Sequence, residues 1–353
     1  MKIALVTDLH FGARNDSLKV AAHQKKFYDD TFFPYLKEHN IKDVIDLGDT
    51  FDRRKYISFT SLKAAKAMFF DPLARDNIRT HVLVGNHDAV YKNTNDLNSI
   101  YLLCSEYNNI LEYNNPEQKE FSGCDILMLP WICKANEKET FELIEKTNAQ
   151  VVMSHLELKG FQMSKGYIQH EGMDHTMFDK FDVVCSGHYH HKSTEKNINY
   201  LGAPYEMTWM DYNDERGFHV FDTETRELTR IINPHKLFHK TWYDDKDLQF
   251  EDVMKIDFSI FKDTFVKVII KDKTNPYLFD TYINKLEQQG LINLQIVEDH
   301  LHLDLDDDND IINEAEDTVT ILNSYVDGLE ISVDKEKLKK VMLNLYNEAL
   351  SIT

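Results

Sequence analysis

The chain has 353 residues, of which 42% are hydrophobic and 28% are charged, and its formal net charge is -20. The length exceeds what one core usually organises, and the lack of a signal peptide or a membrane-spanning apolar segment predicts a cytoplasmic protein with no membrane attachment. Four widely spaced cysteines argue against a disulfide framework or a thiolate zinc cluster, and the acidity argues at first against DNA as a partner.

Short apolar runs rich in β-branched residues predict five buried strands. These runs are residues 3–6, 44–47, 82–84, 151–153 and 183–185. Amphipathic patterns predict helices at 18–36, 59–74 and 97–107, and a further helix starts at Asn136, with Glu139 completing a capping box. Strands that alternate with helices predict an α/β domain with a largely parallel sheet.

Side chains that can bind metal ions follow each of the five runs directly. They lie in Asp8-Leu9-His10, Gly48-Asp49-Thr50-Phe51-Asp52, Gly85-Asn86-His87-Asp88, Ser154-His155 and Gly187-His188-Tyr189-His190. Loops at the carboxyl ends of parallel strands converge at one edge of a sheet, so we expect these side chains to meet. Carboxylate, amide and imidazole groups suit a pair of divalent cations, and such pairs hydrolyse phosphoesters. The sequence therefore predicts a two-metal phosphoesterase site.

The pattern changes after His190. Strands at 199–201, 217–222 and 227–232 are expected to close a first domain, residues 1–235. Residues 240–303 predict a small α/β domain, with a helix at 277–288 and strands at 265–270, 294–297 and 301–303. Residues 304–310 hold five aspartates and predict an acidic linker, and 311–353 predict two amphipathic helices that either pack on each other or bind a partner.

The negative charge is concentrated in the last third of the chain. Residues 1–240 contain 29 Lys and Arg against 35 Asp and Glu, whereas residues 241–353 contain 11 against 25. Basic residues follow the Gly-Asp motif at Arg53, Arg54, Lys55, Lys63, Lys66, Arg75 and Arg79. They form either a positive flank beside the predicted site or an ordinary solvated helix face.

The order and spacing of the motifs resemble the calcineurin-like metallophosphoesterases, and within them the nuclease subunits of SbcC/SbcD-type double-strand-break repair complexes. Within that group, the strongest similarity is to the recombination nuclease subunits of T-even-type phages. It rests on Leu129-Pro130-Trp131, on the run 155–161, and on Arg216-Gly217-Phe218 followed by 221–225. The resemblance implies a four-layer αββα core, a small α/β capping domain and a C-terminal helical pair. A phage origin would make the location the host cytoplasm.

The resemblance also implies a role for each motif residue. One metal ion would be bound by Asp8, His10 and His190, the other by Asn86, His155 and His188, and Asp49 would bridge the two. His87 would contact the scissile phosphate and protonate the departing oxygen, with Asp88 holding its orientation. Manganese is the expected metal and magnesium the alternative. Relatives carry a second functional histidine where this chain has Asp52 and Arg53, so the roles of these two residues stay open, as do those of His170 and His175.

Three functions are compatible with these features. The leading one is a two-metal-dependent DNA nuclease, an exonuclease with endonuclease action left open, that processes DNA ends in recombination and repair. The resemblance implies three partners. They are DNA, an SMC-type ATPase subunit bound through the C-terminal helices, and a second copy of the chain. The alternatives are a small-molecule phosphodiesterase of the same superfamily, which needs no docking helices, and a non-catalytic scaffold, which would have lost ligands.

Overall fold

The structure is a computed structural model that describes residues 1–298 and, beyond them, residues 335, 337–339 and 341. The predicted strand at 301–303 and the acidic linker 304–310 lie outside the described residues, as does the helical region 311–353 apart from those five positions. Met1–Met207 and Asp211–Asp299 form one compact unit by their contacts, and the elements named below belong to its described residues. No helix in the described part of the chain is long and apolar enough to cross a membrane.

The described strands are numbered in chain order. They are β1 (Lys2–Val6), β2 (Asp43–Asp46), β3 (Arg79–Leu83), β4 (Ala89–Tyr91), β5 (Thr94–Asn98), β6 (Ile110–Tyr113), β7 (Glu117–Phe121), β8 (Cys124–Leu129), β9 (Val151–His155), β10 (Gln162–Ser164), β11 (Tyr167–Ile168), β12 (Val183–Gly187), β13 (Ser193–Glu195), β14 (Ile198–Tyr200), β15 (Gly217–Asp222), β16 (Leu228–Ile232), β17 (Phe238–Asp244), β18 (Phe265–Asp272) and β19 (Asn293–Glu298).

The α-helical segments of the same part of the chain are numbered likewise. They are α1 (Ala13–Asp16, a single turn), α2 (Leu18–Phe27), α3 (Phe33–Glu38), α4 (Phe59–Ala65), α5 (Asp71–Arg75), α6 (Ser99–Cys104), α7 (Glu137–Lys146), α8 (Phe250–Lys255) and α9 (Pro276–Glu287). Two π-helical turns, Tyr28–Phe32 and Lys66–Phe70, join α2 to α3 and α4 to α5. Each is followed by a proline, Pro34 or Pro72, whose missing N–H removes a helical hydrogen bond.

Two six-stranded sheets pack face to face and enclose the main core. One has the order β16-β15-β1-β2-β3-β6 and the other the order β13-β14-β12-β9-β8-β7. Alternate side chains of each central strand point into the space between the sheets, as Ile3 and Leu5 do from β1 and Val151 and Met153 from β9. The intervening Val152 faces outward and packs with Ile144 of α7.

Aromatic side chains join the helical layer on the other side to the first sheet. Phe218 of β15 lies with its ring centroid 5.1 Å from that of Phe32 and 6.1 Å from that of Phe27. The ring centroids of Tyr28, in the turn between α2 and α3, and Phe69, in the turn between α4 and α5, lie 5.4 Å apart and bring these two helical segments together. With helices outside both sheets, the layers are α, β, β and α, and the predicted four-layer α/β core is confirmed.

A smaller parallel sheet, β17-β18-β19, follows the core with α8 and α9. Its own apolar core includes Val266 and Val268 of β18 and Leu278 and Leu286 of α9. The buried carboxylate of Glu206, in the core domain, accepts hydrogen bonds through Oε2 from the N–H groups of Leu237 at 2.6 Å and Phe238 at 2.9 Å. This carboxylate therefore fixes the start of the smaller sheet.

The predicted elements match the structure with a few differences. The helix predicted at 97–107 is only Ser99–Cys104, because Asn98 is extended and its side chain accepts a hydrogen bond from the N–H of Tyr101. A helix does follow Asn136, but the capping box is absent, since the Asn136 side chain accepts from the N–H of Cys133 instead. The four cysteines are free and buried.

The Glu206 carboxyl predicts a pH-dependent contribution to stability. Burial raises its pKa to about 7 from an ordinary 4.5, so between these values the folded state holds a proton that the unfolded state lacks. The free energy of unfolding should therefore fall as pH rises through this window, by on the order of 3 kcal/mol relative to Glu206→Gln. Denaturant unfolding at a series of pH values measures this difference.

The matched control is Glu195→Gln, at an exposed position. The free energy of unfolding of this variant should differ from that of the wild type by the same amount at every pH. If the unfolding free energy of the Glu206→Gln protein follows the wild-type pH profile throughout, Glu206 is not the source of the pH-dependent contribution.

Candidate metal centre

The predicted motif residues lie at the carboxyl ends of β1, β2, β3, β9 and β12. The loops after β1 and β2 are held together by backbone hydrogen bonds, from Asp8 N to Gly48 O at 2.9 Å and from His10 N to Asp49 O at 3.0 Å. Because β9 and β12 belong to the second sheet, their ends approach these loops from the facing layer. The structure thus brings all seven candidate ligands to one place between the sheets.

The first candidate group consists of Asp8, His10 and His190. One possible ligand atom from each lies within 4.8 Å of the others. The Nε2 atoms of His10 and His190 are 3.1 Å apart, and His10 Nε2 is 4.0 Å from a carboxylate oxygen of Asp8. These atoms therefore converge on one small volume.

The second candidate group contains Asp49, His155 and His188, whose possible ligand atoms also lie within 4.8 Å of one another. The Oδ1 atom of Asn86 joins them, at 2.9 Å from His155 Nε2 and 2.8 Å from His188 Nδ1. Asp49 Oδ2 lies 3.4 Å from His155 Nε2 and 3.9 Å from His10 Nε2. Asp49 is therefore the carboxylate that faces both groups.

Four of these residues have left-handed backbone conformations although none is glycine. The φ angles are 53° at Asp8, 43° at His10, 56° at Asp49 and 86° at His188. Each such residue costs about 1–3 kcal/mol and is retained only where surrounding structure enforces it. The chain turns at His188, and His188 and His190 both face the site but join different groups.

Close packing at the centre requires residues without a Cβ. A Cβ on Gly85 would lie 2.2 Å from the backbone N of Asp49, and one on Gly187 would lie 2.0 Å from Oγ1 of Thr7. Gly48 has a φ of 104°, and its Cβ would meet Nδ1 of His155 at 2.8 Å. The glycines that precede three of the motifs therefore let the loops approach closely enough for the side chains to meet.

His87 lies beside these groups, with its ring centroid 4.9 Å from that of His10. Its Nδ1 is 2.6 Å from the backbone carbonyl oxygen of Asp52. A carbonyl only accepts hydrogen bonds, so Nδ1 carries the proton and Nε2 faces away from this contact. The Asp52 side chain also lies at the site, with Oδ1 3.4 Å from His10 Nδ1.

The expectation that Asp88 orients the His87 ring needs correction. The carboxylate of Asp88 is fully buried, and it accepts hydrogen bonds from Gly85 N, Thr50 N, Phe51 N and Ser99 Oγ. Asp88 thus joins the loops after β2 and β3 to the start of α6. It positions the loop that carries His87, whereas the Asp52 carbonyl orients the ring.

Burial and the neighbouring carboxylates set the protonation of the imidazoles. Burial disfavours the charged form of His10 and His155, but Asp49, Asp8 and, for His10, Asp52 outweigh it and raise both pKa values to about 9. Burial lowers the pKa of His188 to about 3 and that of His190 well below its usual value. His188 and His190 can therefore offer a lone pair to a cation at neutral pH, while His10 and His155 must first lose a proton.

The carboxylates respond in opposite ways. Burial raises the pKa of Asp8 above its ordinary value, with a further contribution from the charge of Asp49. Burial acts in the same direction on Asp49, but His155, His10 and His87 outweigh it and hold the pKa of Asp49 well below its usual range. The ionised, shielded Asp49 is thus available as a bridging ligand.

Other sequence candidates lie outside the two groups. His170 is exposed, and His175 contacts Phe161 with ring centroids 6.1 Å apart. His191 pairs with Asp214 at 2.8 Å. In the predicted basic flank, Arg53, Lys66, Arg75 and Arg79 have acidic partners, so much of that charge is neutralised locally.

The donor set fits divalent cations. Both groups offer nitrogen and oxygen donors, one shared carboxylate and no thiolate, and all four cysteines lie elsewhere. Such sites suit manganese or magnesium and do not specify zinc. The side chains that sequence reasoning gave no role are Asp52, which follows the Gly-Asp motif, and Trp131, whose ring lies 5.2 Å from that of His188.

Comparison with known proteins agrees with this geometry. The calcineurin-like phosphoesterase family model matches residues 1–192. Exonuclease subunit 1 of Enterobacteria phage T4 is 31% identical over 352 residues, 99% of this chain and 99% of that protein. The SbcD subunit of the SbcCD nuclease of Staphylococcus epidermidis is 24% identical over 321 residues, 79% of this chain and 78% of that protein.

Solved structures are more distant. A novel archaeal phosphodiesterase aligns with 66% of this chain and 100% of its own at 15% sequence identity, with a TM-score of 0.33. A score this low carries no argument about function.

The Asp88 contacts predict that Asp88→Asn weakens the fold. An asparagine has one acceptor oxygen in place of two, so its amide group would face N–H donors that now bond to a carboxylate oxygen. We expect a loss of about 2–3 kcal/mol in the free energy of unfolding, measured by denaturant titration.

The matched control is Asp96→Asn, at an exposed position on β5, which should leave stability within about 0.5 kcal/mol. An Asp88→Asn protein as stable as the wild type would show that these hydrogen bonds do not hold the loops.

Proposed function

The chain belongs to the calcineurin-like phosphoesterase family, as its motifs predict, and on this premise we propose that it is a two-metal-dependent DNA nuclease. It acts as the nuclease subunit of an SbcC/SbcD-like complex that processes DNA ends. The observation that carries the proposal is the convergence of two donor groups around Asp49, with His87 beside them. Support for DNA as the substrate comes from relatives named as nuclease subunits, one of which matches over nearly the whole chain.

In this proposal Asp8, His10 and His190 would hold one divalent ion, Asn86, His155 and His188 would hold the other, and Asp49, which faces both groups, would be shared between them. Asp49 Oδ1 accepts a hydrogen bond of 2.7 Å from the backbone N of His87, which leaves Oδ2 facing the imidazoles. Leu47 O lies 2.8 Å from His155 Nδ1 and orients that ring, so that Nε2 points into the site. Manganese is the first choice of metal and magnesium the second.

Bound divalent ions supply charge stabilisation at phosphorus and activate the attacking water. Their charge exceeds that of Asp8 and Asp49, which makes the site attractive to an anionic phosphodiester despite the acidity of the chain. His87 donates Nδ1–H to the Asp52 carbonyl, so Nε2 is the atom that, in the doubly protonated imidazolium form, would deliver a proton to the departing sugar oxygen and leave the ring neutral. The ring is fixed by a backbone group, which keeps that atom in place through the reaction.

The proposed partners are DNA, an SMC-type ATPase subunit and a second copy of the chain. The relatives carry the names of subunits, which supports an assembly. We place the ATPase contact on the C-terminal helices predicted from sequence, and the homodimer rests on the family resemblance. The proposed action is that of an exonuclease, with endonuclease action left open.

The nuclease proposal predicts metal-dependent cleavage that needs His87 and Asp49. End-labelled duplex and single-stranded DNA and a small chromogenic phosphodiester would be incubated with the purified chain and manganese, magnesium or a chelator. We expect DNA cleavage with manganese, none with the chelator, a loss of about 100-fold or more for His87→Ala, and loss of activity for Asp49→Ala.

His170→Ala is the matched control, because it removes an exposed loop histidine and should retain wild-type rates. If both DNA substrates stay intact under manganese while the small ester is hydrolysed, the protein is a phosphodiesterase of another substrate class.

The proposed ligands also predict that metal binding releases protons. His10 and His155 have pKa values of about 9, so at pH 7 both are protonated and must lose their protons to bind a cation. We expect about two protons released per chain at pH 7, fewer as pH approaches 9, and a manganese affinity that rises over the same range. Calorimetric titration of chelator-treated protein in buffers of different ionisation enthalpy counts the protons, and an affinity independent of pH would refute the assignment.

A further inference from the structure

Trp131 lies at the rim of the candidate metal centre and has no part in the chemistry proposed above. Its ring centroid is 5.2 Å from that of His188, at an interplanar angle of 42°, and 6.2 Å from that of His155. The side chain is partly exposed, whereas His155 is fully buried. The indole therefore forms a wall of the site that remains open to a bound molecule.

The backbone of Trp131 is held from three directions. Its N–H donates to the carbonyl of Val84 at 2.8 Å, and Val84 directly precedes the loop that carries Asn86 and His87. Its carbonyl accepts from Nδ2 of Asn95 at 2.8 Å and from Nδ2 of Asn136 at 3.0 Å, and both asparagines are buried. The indole is thus fixed relative to the same strand end that presents the candidate catalytic histidine.

Two lysines flank this tryptophan on neighbouring loops. Lys134 follows it on the same loop, and Lys92 lies at the turn of the β4–β5 hairpin, which contacts that loop through a hydrogen bond from Ala135 N to Asn93 O at 3.1 Å. Both lysines are exposed, and neither has a hydrogen bond or ion pair with another described residue. The nearest acidic residue along the chain is Glu137, at the start of α7, for Lys134, and Asp88 and Asp96 for Lys92.

We propose that Trp131 is a stacking platform for a nucleobase next to the scissile phosphate, with Lys92 and Lys134 contacting the adjoining backbone phosphates. This inference rests on the proposed nuclease function and names the part of the substrate that the site recognises. A rigid aromatic face with unpaired cations beside it is the arrangement by which proteins hold single-stranded nucleic acid without reading its sequence. A residue that only packed against His188 would have no need of an exposed face or of free cations.

Binding of paired oligonucleotides tests the platform directly. A labelled short single strand and the same strand with abasic sites would be titrated onto the manganese-loaded full chain in a His87→Ala background, which prevents cleavage. We expect the normal strand to bind about 5- to 150-fold more tightly than the abasic one. In Trp131→Leu this ratio should fall toward one, and Trp131→Phe should restore most of it.

Trp242→Leu, which changes a tryptophan 36% exposed on the smaller sheet, is the matched control and should keep the full ratio. Equal affinity of the His87→Ala protein for the two strands, or no affinity for either, overturns the platform before any change at Trp131 is made. A retained ratio in Trp131→Leu shows that the tryptophan only packs against His188. Tight, base-dependent binding without cleavage in the parent chain would instead leave the platform in place and refute the nuclease function.

The lysines give a second, independent measurement. Replacing Lys92 and Lys134 together by alanine should weaken binding of the normal and abasic strands by the same factor and reduce the salt dependence of binding. An unchanged salt dependence would remove the lysines from the proposal.

Discussion

Two carboxylates buried between facing sheets are the constraint on which the rest of this structure depends. Asp8 and Asp49 are 0% and 2% exposed, and an isolated buried carboxylate is too unfavourable to persist. Imidazoles from three other loops surround them, and the protons held by His10 and His155 balance their charge. Three features keep these groups close together. They are the left-handed residues, the glycines without space for a Cβ, and the hydrogen bonds that the buried Asp88 carboxylate accepts.

The same constraint explains why support for the site is distributed over the backbone. Asp88 binds N–H groups of two loops, and the carbonyl of Asp52 holds the ring of His87. A carbonyl contact does not depend on which side chain stands at that position. The chain can therefore orient His87 whichever side chain follows the Gly-Asp motif at position 52.

Secondary structure was largely predictable because each central strand is a short apolar run and each outer helix has a clear apolar stripe. The alternation of Val151, Val152 and Met153 between the inner and outer faces follows from strand geometry alone. The strands β4 to β8, β10, β11, β13 and β17 and the helix α8 were not among the predicted elements. Local competition produced other differences. The Asn98 side chain caps α6 and shortens it, and the prolines Pro34 and Pro72 follow π-helical turns that no periodicity signals.

The sequence alone determined which residues could bind cations, because carboxylate, amide and imidazole side chains follow the strand ends in a recognisable order. The role of His87 as the candidate acid came from the family resemblance. Only the tertiary structure decided that Asp49 faces both groups, that Asp52 rather than Asp88 orients His87, and that Trp131 stands at the rim. These facts depend on loops from two different sheets meeting across the core, and distances between segments far apart in sequence leave no local pattern in the chain.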